Sequence, residues 1–274
     1  MSLKDKIHIT GLTDAGIVRD HNEDSIGHNA ELGLLVLADG MGGHKGGEVA
    51  SALAVDSILN SLQTTLSEIK SGEIDEETGY SLESITIEAA IKKANTVIYQ
   101  ASQKNKQYEG MGTTIVVLLF FDNRLTVAHV GDSRLYRQRN NTLELMTRDH
   151  TLLQELVDRG FYTPEEAQQS LNKNLVTRAV GVSPTVEVDL MEDIASIDDI
   201  YLLCSDGLND MINDDIIQGC VNNFKDNLDT LAAELIALAK QNGGKDNVSA
   251  LLAKINKPFP NNSGWFSRIF DLFS

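Results

Sequence analysis

Apolar and polar positions alternate along this chain in two textures, one helical and one extended. From residue 47 to about 70, Val49, Leu53, Ile58 and Leu62 fall on roughly one helical face. A second helix is expected over about 82–103, with Ile87, Ala90, Ile91, Ala94 and Ile98 turned inward. The acidic stretch "SGEIDEETGY" between them reads as a solvated loop. Next comes "TTIVVLLFFDNRLTVAHVGDSRLYRQRNNTLELMT", a series of strands joined by short turns, with Asp122-Asn123 between the first two. Further strands are expected in "IHITGLTDAG", "GLLVLAD", "DDIYLLCSDG" and "DNVSALLAKI", with "RDHNEDSIGHN" connecting the first pair. Helices are expected in "NDDIIQGCV" and "NLDTLAAELIALAKQNG". The polar, partly helical stretch at about 148–179 has no strong core pattern and reads as a flap inserted into the domain. Two long helices followed by consecutive strands favour an α+β layered sandwich with antiparallel sheets over an alternating βαβ order.

Composition narrows this picture. Hydrophobic residues make up 42% of the 274 positions, enough for a sizeable core. The formal net charge of -17 argues against a protein built to grip nucleic acid. Only two cysteines occur, Cys204 and Cys220, so no disulfide framework is expected, and no CxxC pair suggests zinc. The opening "MSLKDKIHIT" lacks the apolar core of a signal peptide, and no run approaches the ~20 apolar residues of a membrane span. A cytoplasmic location is expected.

Acids recur at strand ends. "VLADG", "VGDS" and "LLCSDG" place Asp39, Asp132 and Asp206 directly after apolar runs, and "GGKDNVSALLA" places Asp246 just before one. A single Asp-Gly at a strand end is ordinary turn chemistry. Four such acids on pairing strands would converge, repel and raise one another's pKa unless a divalent cation joined them. All-oxygen ligands suit Mg²⁺ or Mn²⁺, and two such ions about 3.5–4 Å apart support in-line displacement at phosphorus. "RDHNED" adds Glu23 and Asp24, with Arg19 upstream as a candidate phosphate clamp, because a guanidinium binds two oxygens at once. No Cys or Ser nucleophile with a paired base is evident.

"RDHNED", "LADGMGGHKGGE", "GMGTT", "HVGDSRLYR", "TRDHT", "TRAVG", "CSDGL" and "GKDNVS", in this order, resemble the metal-dependent protein phosphatases of type 2C in their bacterial form. The matches span most of the chain. The resemblance implies a four-layer α-β-β-α sandwich around two antiparallel sheets, occupying residues 1–256. It implies that Asp39 bridges two metals and that the Gly40 carbonyl binds the second. Asp206 and Asp246 would complete the first shell, while Asp24 and Glu23 would serve the second, partly through water. Asp132 matches the ligand of a third metal, shared with Asp206, and Arg19 matches the phosphate-binding arginine. Animal members carry a histidine after the Asp-Gly, where this chain has Met41, as bacterial members commonly do. His44 follows later and has two readings: a general acid, or a hydrogen-bonding group in the glycine turn. A metal-bound water is the alternative acid. The implied reaction is hydrolysis of phosphoserine or phosphothreonine in proteins by a metal-bridging hydroxide. The implied partners are phosphorylated proteins and a Ser/Thr kinase that the enzyme opposes.

Two rival readings exist. A catalytically silent sensor of the same fold is disfavoured because every acid of the metal site is present. A Ca²⁺-binding structural protein would need the regular D-x-[DN]-x-[DN]-G spacing, which is missing. The tail, residues 257–274, ends in "WFSRIFDLFS", which sets Trp265, Phe266, Ile269, Phe270 and Phe273 on one helical face. It is expected to dock on its own domain, with a partner protein or a membrane surface as the alternatives.

Overall fold

The apolar runs "LLVLA" and "IVVLLFF" show no alternation because both of their faces are covered. A computed structural model of the chain describes residues 2–42, 46–163, 166 and 175–260. In chain order its strands are β1 (Ile7–Asp14), β2 (Asp24–Asn29), β3 (Leu34–Met41), β4 (Gly112–Thr113), β5 (Ile115–Phe121), β6 (Arg124–Val130), β7 (Arg134–Arg139), β8 (Thr142–Leu145), β9 (Asp189–Ile194), β10 (Ile200–Cys204) and β11 (Val248–Ile255). The helices are α1 (Gly46–Thr65), α2 (Leu82–Lys104), α3 (Leu152–Asp158), α4 (Asp206–Asn209), α5 (Asp214–Phe224) and α6 (Leu228–Gln241).

One sheet runs β1-β11-β10-β7-β8 and the other β2-β3-β5-β6-β9, with β4 pairing β3, and every pairing is antiparallel. Three apolar interfaces define four layers. Leu34, Val36 and Ala38 of β3 meet α1 and α2 through Ile58, Leu62, Ile87 and Ile91. Leu35 and Leu37, one residue out of phase, turn the other way and meet Leu203, Leu251 and Ala253 of the second sheet. The outer face of that sheet packs Leu202, Ala250 and Leu252 against Ile217, Leu231 and Leu235 of α5 and α6. This period-two division of β3 between two interfaces makes it a central strand, with Asp39 on the inter-sheet side.

The hairpin turns follow the sequence chemistry. Asp122 and Asn123 join β5 to β6 at φ 46° and 55°, and Asn140 and Asn141 join β7 to β8 at φ 53° and 62°. Asn and Asp tolerate the left-handed region that a two-residue turn requires. Three elements differ from expectation. "RDHNEDSIGHN" is not merely a connection, since its second half is β2, which pairs along β3. β9 has no clear sequence signal: its run "DLMEDI" mixes polar and apolar residues without alternation and lies at a sheet edge, half-buried throughout except for exposed Ile194. The first helix stops at Thr65, where the hydroxyls of Thr65 and Ser67 bind the carbonyls of Ser61 (2.9 Å) and Thr64 (2.7 Å).

The segment expected as a flap is pinned at both ends. His150 N donates to Gly131 O (3.0 Å), Thr177 N to His150 O (2.8 Å) and Leu152 N to Leu175 O (3.0 Å). The tail from residue 261 onward and His44 lie outside the described residues.

Leu37 is fully buried between the sheets. Leu37→Ala is expected to lower stability by about 2–5 kcal/mol, through lost burial and the cavity left behind. Urea unfolding followed by circular dichroism measures the shift in midpoint.

Candidate metal centre

Asp24 and Asp39 stand directly opposite each other in the β2–β3 pair. Side chains so placed lie about 4.5–5.5 Å apart at Cβ, and like charges there are destabilising. Asp24 is buried, and its Oδ2 accepts from Ser249 Oγ (2.6 Å) in β11 and from Ser205 Oγ (2.7 Å), just past the end of β10, both belonging to the other sheet's strand ends. One carboxylate oxygen thus stitches the two sheets together. Its other oxygen, Oδ1, has no hydrogen-bond partner among the described residues. A buried, unpartnered carboxylate oxygen facing a second carboxylate suits an oxygen-seeking cation.

The backbone beside Asp39 is held closely. Asp39 O accepts from Thr113 Oγ1 (2.7 Å) and Thr114 N (2.8 Å), and Asp39 N donates to Thr114 Oγ1 (3.1 Å). Gly40 is needed for lack of space: a Cβ there would lie 2.2 Å from Gly47 O and 2.6 Å from Glu23 O. The tight approach brings the start of α1 against the Glu23 loop. Ser51 Oγ, from α1, donates to Glu23 O (2.5 Å).

Asp206 follows the same logic. It opens α4 straight after β10, and a Cβ on Gly207 would lie 2.0 Å from Asn247 O. Asp-Gly here marks a close approach of two backbones that sets Asp206 beside Asp246, and not a turn. Asn247 then organises the loop carrying Arg19 and Glu23. Its Oδ1 accepts from Glu23 N (2.8 Å), and its Nδ2 donates to Ala15 O (3.1 Å) and His21 O (2.7 Å). Arg19, half-exposed at the rim, pairs with Asp246 through Nη2–Oδ2 at 2.7 Å.

Asp132 sits buried in the β6–β7 turn. Burial, and then the charges of Asp24, Asp206, Asp132 and Asp246, push the Asp39 carboxyl well above its usual range. Asp206 is driven the same way by burial, Asp132, Asp246, Asp210 and Asp24. Asp24 is raised to about 6, chiefly by burial. Asp132 is also raised to about 6, by burial and by Asp149. The structure therefore gathers Asp24, Asp39, Asp132, Asp206 and Asp246 into one electrostatic cluster, with Glu23 and Arg19 at its edge. Asp210 joins them, pressing on both Asp132 and Asp206. Sequence reading missed it. The available signal was its place four residues after Asp206 in "SDGLND", one helical turn along.

A second group of potential ligands, His129, His150 and Asp189, lies nearby, with ligand atoms within 4.8 Å of one another. Hydrogen bonds already occupy most of it. His150 Nδ1 accepts from Gly131 N (3.0 Å), which leaves Nε2 protonated toward Asp189 Oδ2 at 3.3 Å. His129 Nε2 donates to Arg148 O (2.9 Å), and Arg178 holds Asp189. The two rings stack at 4.8 Å. These groups tie the base of the 148–179 segment to β6 and β9.

Comparison with known proteins follows this geometry. Residues 17–253 match the family model described as protein phosphatase 2C. The chain is 39% identical over 243 residues to the serine/threonine protein phosphatase PstP of Mycobacterium tuberculosis (strain H37Rv), covering 89% of this chain. It spans 44% of that relative's length. It is 34% identical over 253 residues to the serine/threonine phosphatase stp of Listeria welshimeri, covering 91% of this chain and 96% of that one. Among solved structures, the catalytic domain of PstP in complex with two manganese ions superposes with a TM-score of 0.79 at 36% identity. That match covers 92% of this chain and 99% of the other. The S. agalactiae serine/threonine phosphatase superposes with a TM-score of 0.79 at 33% identity, over 91% and 100% of the two chains.

The raised carboxyls carry a stability consequence whose sign can be worked out. A carboxyl whose folded pKa exceeds its unfolded value, about 3.9 for Asp, makes the folded state bind more protons. The penalty is full above the folded pKa and fades as pH falls through it. His129 and His150, held below their usual range by burial, act in the opposite direction. Comparing Asp39→Asn with the parent cancels them. In chelator, Asp39→Asn is expected to melt higher than the parent at pH 8, by roughly 2–4 °C per kcal/mol of repulsion relieved. The gap should close toward pH 5. Calorimetry across that range measures it.

Proposed function

The chain belongs to the protein phosphatase 2C family of metal-dependent protein phosphatases, and on that premise we propose that it hydrolyses phosphoserine and phosphothreonine in proteins. One observation carries the reading: five aspartates from separate strands and turns meet at one end of the sheet pair, with Asp24 Oδ1 left unpartnered. Asp39, Asp206 and Asp246, with the Gly40 carbonyl, would hold one pair of Mn²⁺ or Mg²⁺ ions together with Asp24 and Glu23. Asp132, Asp206 and Asp210 would hold a third. When bound, such ions neutralise the cluster and activate water for displacement at phosphorus.

The remaining work falls to the chain itself. Arg19 stands at the rim and exchanges Asp246 for phosphate oxygens, which its planar guanidinium can engage two at a time. Asn247 holds the Arg19 loop in register, so that the clamp and the carboxylates keep a fixed spacing. Ser205 and Ser249 fix Asp24 while leaving one of its oxygens free. We assign selection of the sequence around the phosphorylated residue to the 148–179 segment, whose described ends are anchored through His150 and Val176.

Among the described residues no helix is long and apolar enough to cross a membrane. We place the enzyme in the cytoplasm, opposite a Ser/Thr kinase whose products it removes. Among its relatives, PstP and PhpP are named as protein phosphatases and stp as a serine/threonine phosphatase.

The test is manganese-dependent phosphate release from phosphoserine, phosphothreonine and phosphotyrosine peptides, with and without chelator. The expected result is release from the first two, abolished by chelator and reduced at least about 100-fold by Asp39→Asn. Release that survives chelation, or that is unaffected by Asp39→Asn, would overturn the reading. For the clamp, Arg19→Ala is expected to raise KM for phosphopeptides more than it lowers kcat. An unchanged KM would remove Arg19 from phosphate binding.

A further inference from the structure

A cavity of about 170 Å³ opens among the loop after α1, the start of α2, the end of β5 and the turn before β3, lined by Leu3, Leu32, Leu66, Leu119, Phe259 and Glu83. It lies at the far end of the strands from the aspartates: Leu34, which opens β3, pairs with Leu119, whereas Asp39 lies near the other end of β3. A dry cavity of about 150 Å³ lined by aliphatic and aromatic groups accepts benzene. This one therefore has room for a single aromatic ring. Ser71, Glu83 and Asp122 break the apolar lining. Glu83 is 3% exposed, its Oε1 accepts from Gly72 N (2.9 Å), and its Oε2 has no partner among the described residues. Asp122 places a second carboxylate in the lining.

We propose that this cavity receives the chain's own C-terminal segment, residues 261–274, with one of its aromatic rings filling the space and Arg268 pairing with Glu83. Three observations select this occupant. Pro260, the last described residue, is itself in the cavity wall, and Phe259 anchors it there by edge contact with Phe120 and by an N–H bond to Asn123 Oδ1 (2.6 Å). The next fourteen residues, "NNSGWFSRIFDLFS", hold the only tryptophan and three phenylalanines, and their one cation is Arg268. Arg268 follows Pro260 by eight residues, and an extended chain of that length reaches up to about 26 Å, ample for a return. Tethering supplies a local concentration in the mM range, so weak contacts suffice. An apolar segment whose charged side chains are one arginine, Arg268, and one aspartate, Asp271, thus begins at the mouth of an apolar cavity whose charged lining groups are both acids, leaving Arg268 as the side chain that can pair there. The inference does not depend on the phosphatase reading.

Trp265, the sole tryptophan, reports the outcome directly. In the full chain its emission is expected at shorter wavelength than in a free peptide of residues 261–274, with acrylamide quenching severalfold weaker. The protection should be the same from submicromolar to tens of micromolar protein. Leu66→Asp should abolish it, and Glu83→Gln and Arg268→Ala should each weaken it. Arg268→Ala leaves every residue of the described domain unchanged, which keeps the test valid if a cavity variant misfolds. A Ser71→Cys, Ser267→Cys pair should form a cross-link within one chain under mild oxidation. Four results would overturn the proposal: quenching equal to that of the peptide, protection that grows with protein concentration, protection only with anionic vesicles, or protection indifferent to Arg268→Ala and Leu66→Asp. Turnover of a small aryl phosphate should not change in any of these variants.

Discussion

Crowding of like charge is the constraint around which this molecule is arranged. Asp24 and Asp39 are forced face to face by a strand register that the apolar residues of β3 dictate. Shifting β3 by one residue would separate them, but it would also turn Leu35 and Leu37 out of the inter-sheet core. Packing therefore enforces an electrostatically unfavourable arrangement that a divalent cation relieves. Protein function often keeps local unfavourable terms of this kind, offset by stability elsewhere.

The frame that holds the charges is correspondingly stiff. Asp24 is hydrogen-bonded to both Ser205 and Ser249, so the two sheets cannot slide without breaking a buried contact. Gly40 and Gly207 bring backbone segments closer than any side chain would permit. Asn247 makes three hydrogen bonds to the loop bearing Arg19 and Glu23. Farther out, half-buried Arg134 grips Asp149 at 2.7 Å, and Arg178, Asp189 and His150 close a network at the base of the 148–179 segment. These contacts hold the aspartates in fixed register.

Much of this was legible in the sequence, and the gaps have physical causes. Central strands and the two long helices announced themselves because burial on one or both faces demands apolar runs or a 3.6-residue period. β9 stayed hidden because an edge strand with mixed polarity carries little signal. β2 stayed hidden because its charged beginning, Asp24, belongs to the site and not to the core. The aspartates stood out as a set because each follows or precedes an apolar run. Asp210 did not, since it lies inside a polar stretch and acquires meaning only from the helical turn that brings it back to Asp206. The glycines after Asp39 and Asp206 were visible, but their reason is backbone contact, of Gly40 with Gly47 and Glu23 and of Gly207 with Asn247, which no local pattern reveals.

Titration calorimetry of Mn²⁺ into metal-free protein near pH 6, repeated in buffers of different ionisation enthalpy, tests the central claim most directly. Saturable binding of at least two ions per chain with release of protons, lost in Asp39→Asn, is the predicted result. An absence of saturable binding, or binding that Asp39→Asn leaves intact, would contradict the account.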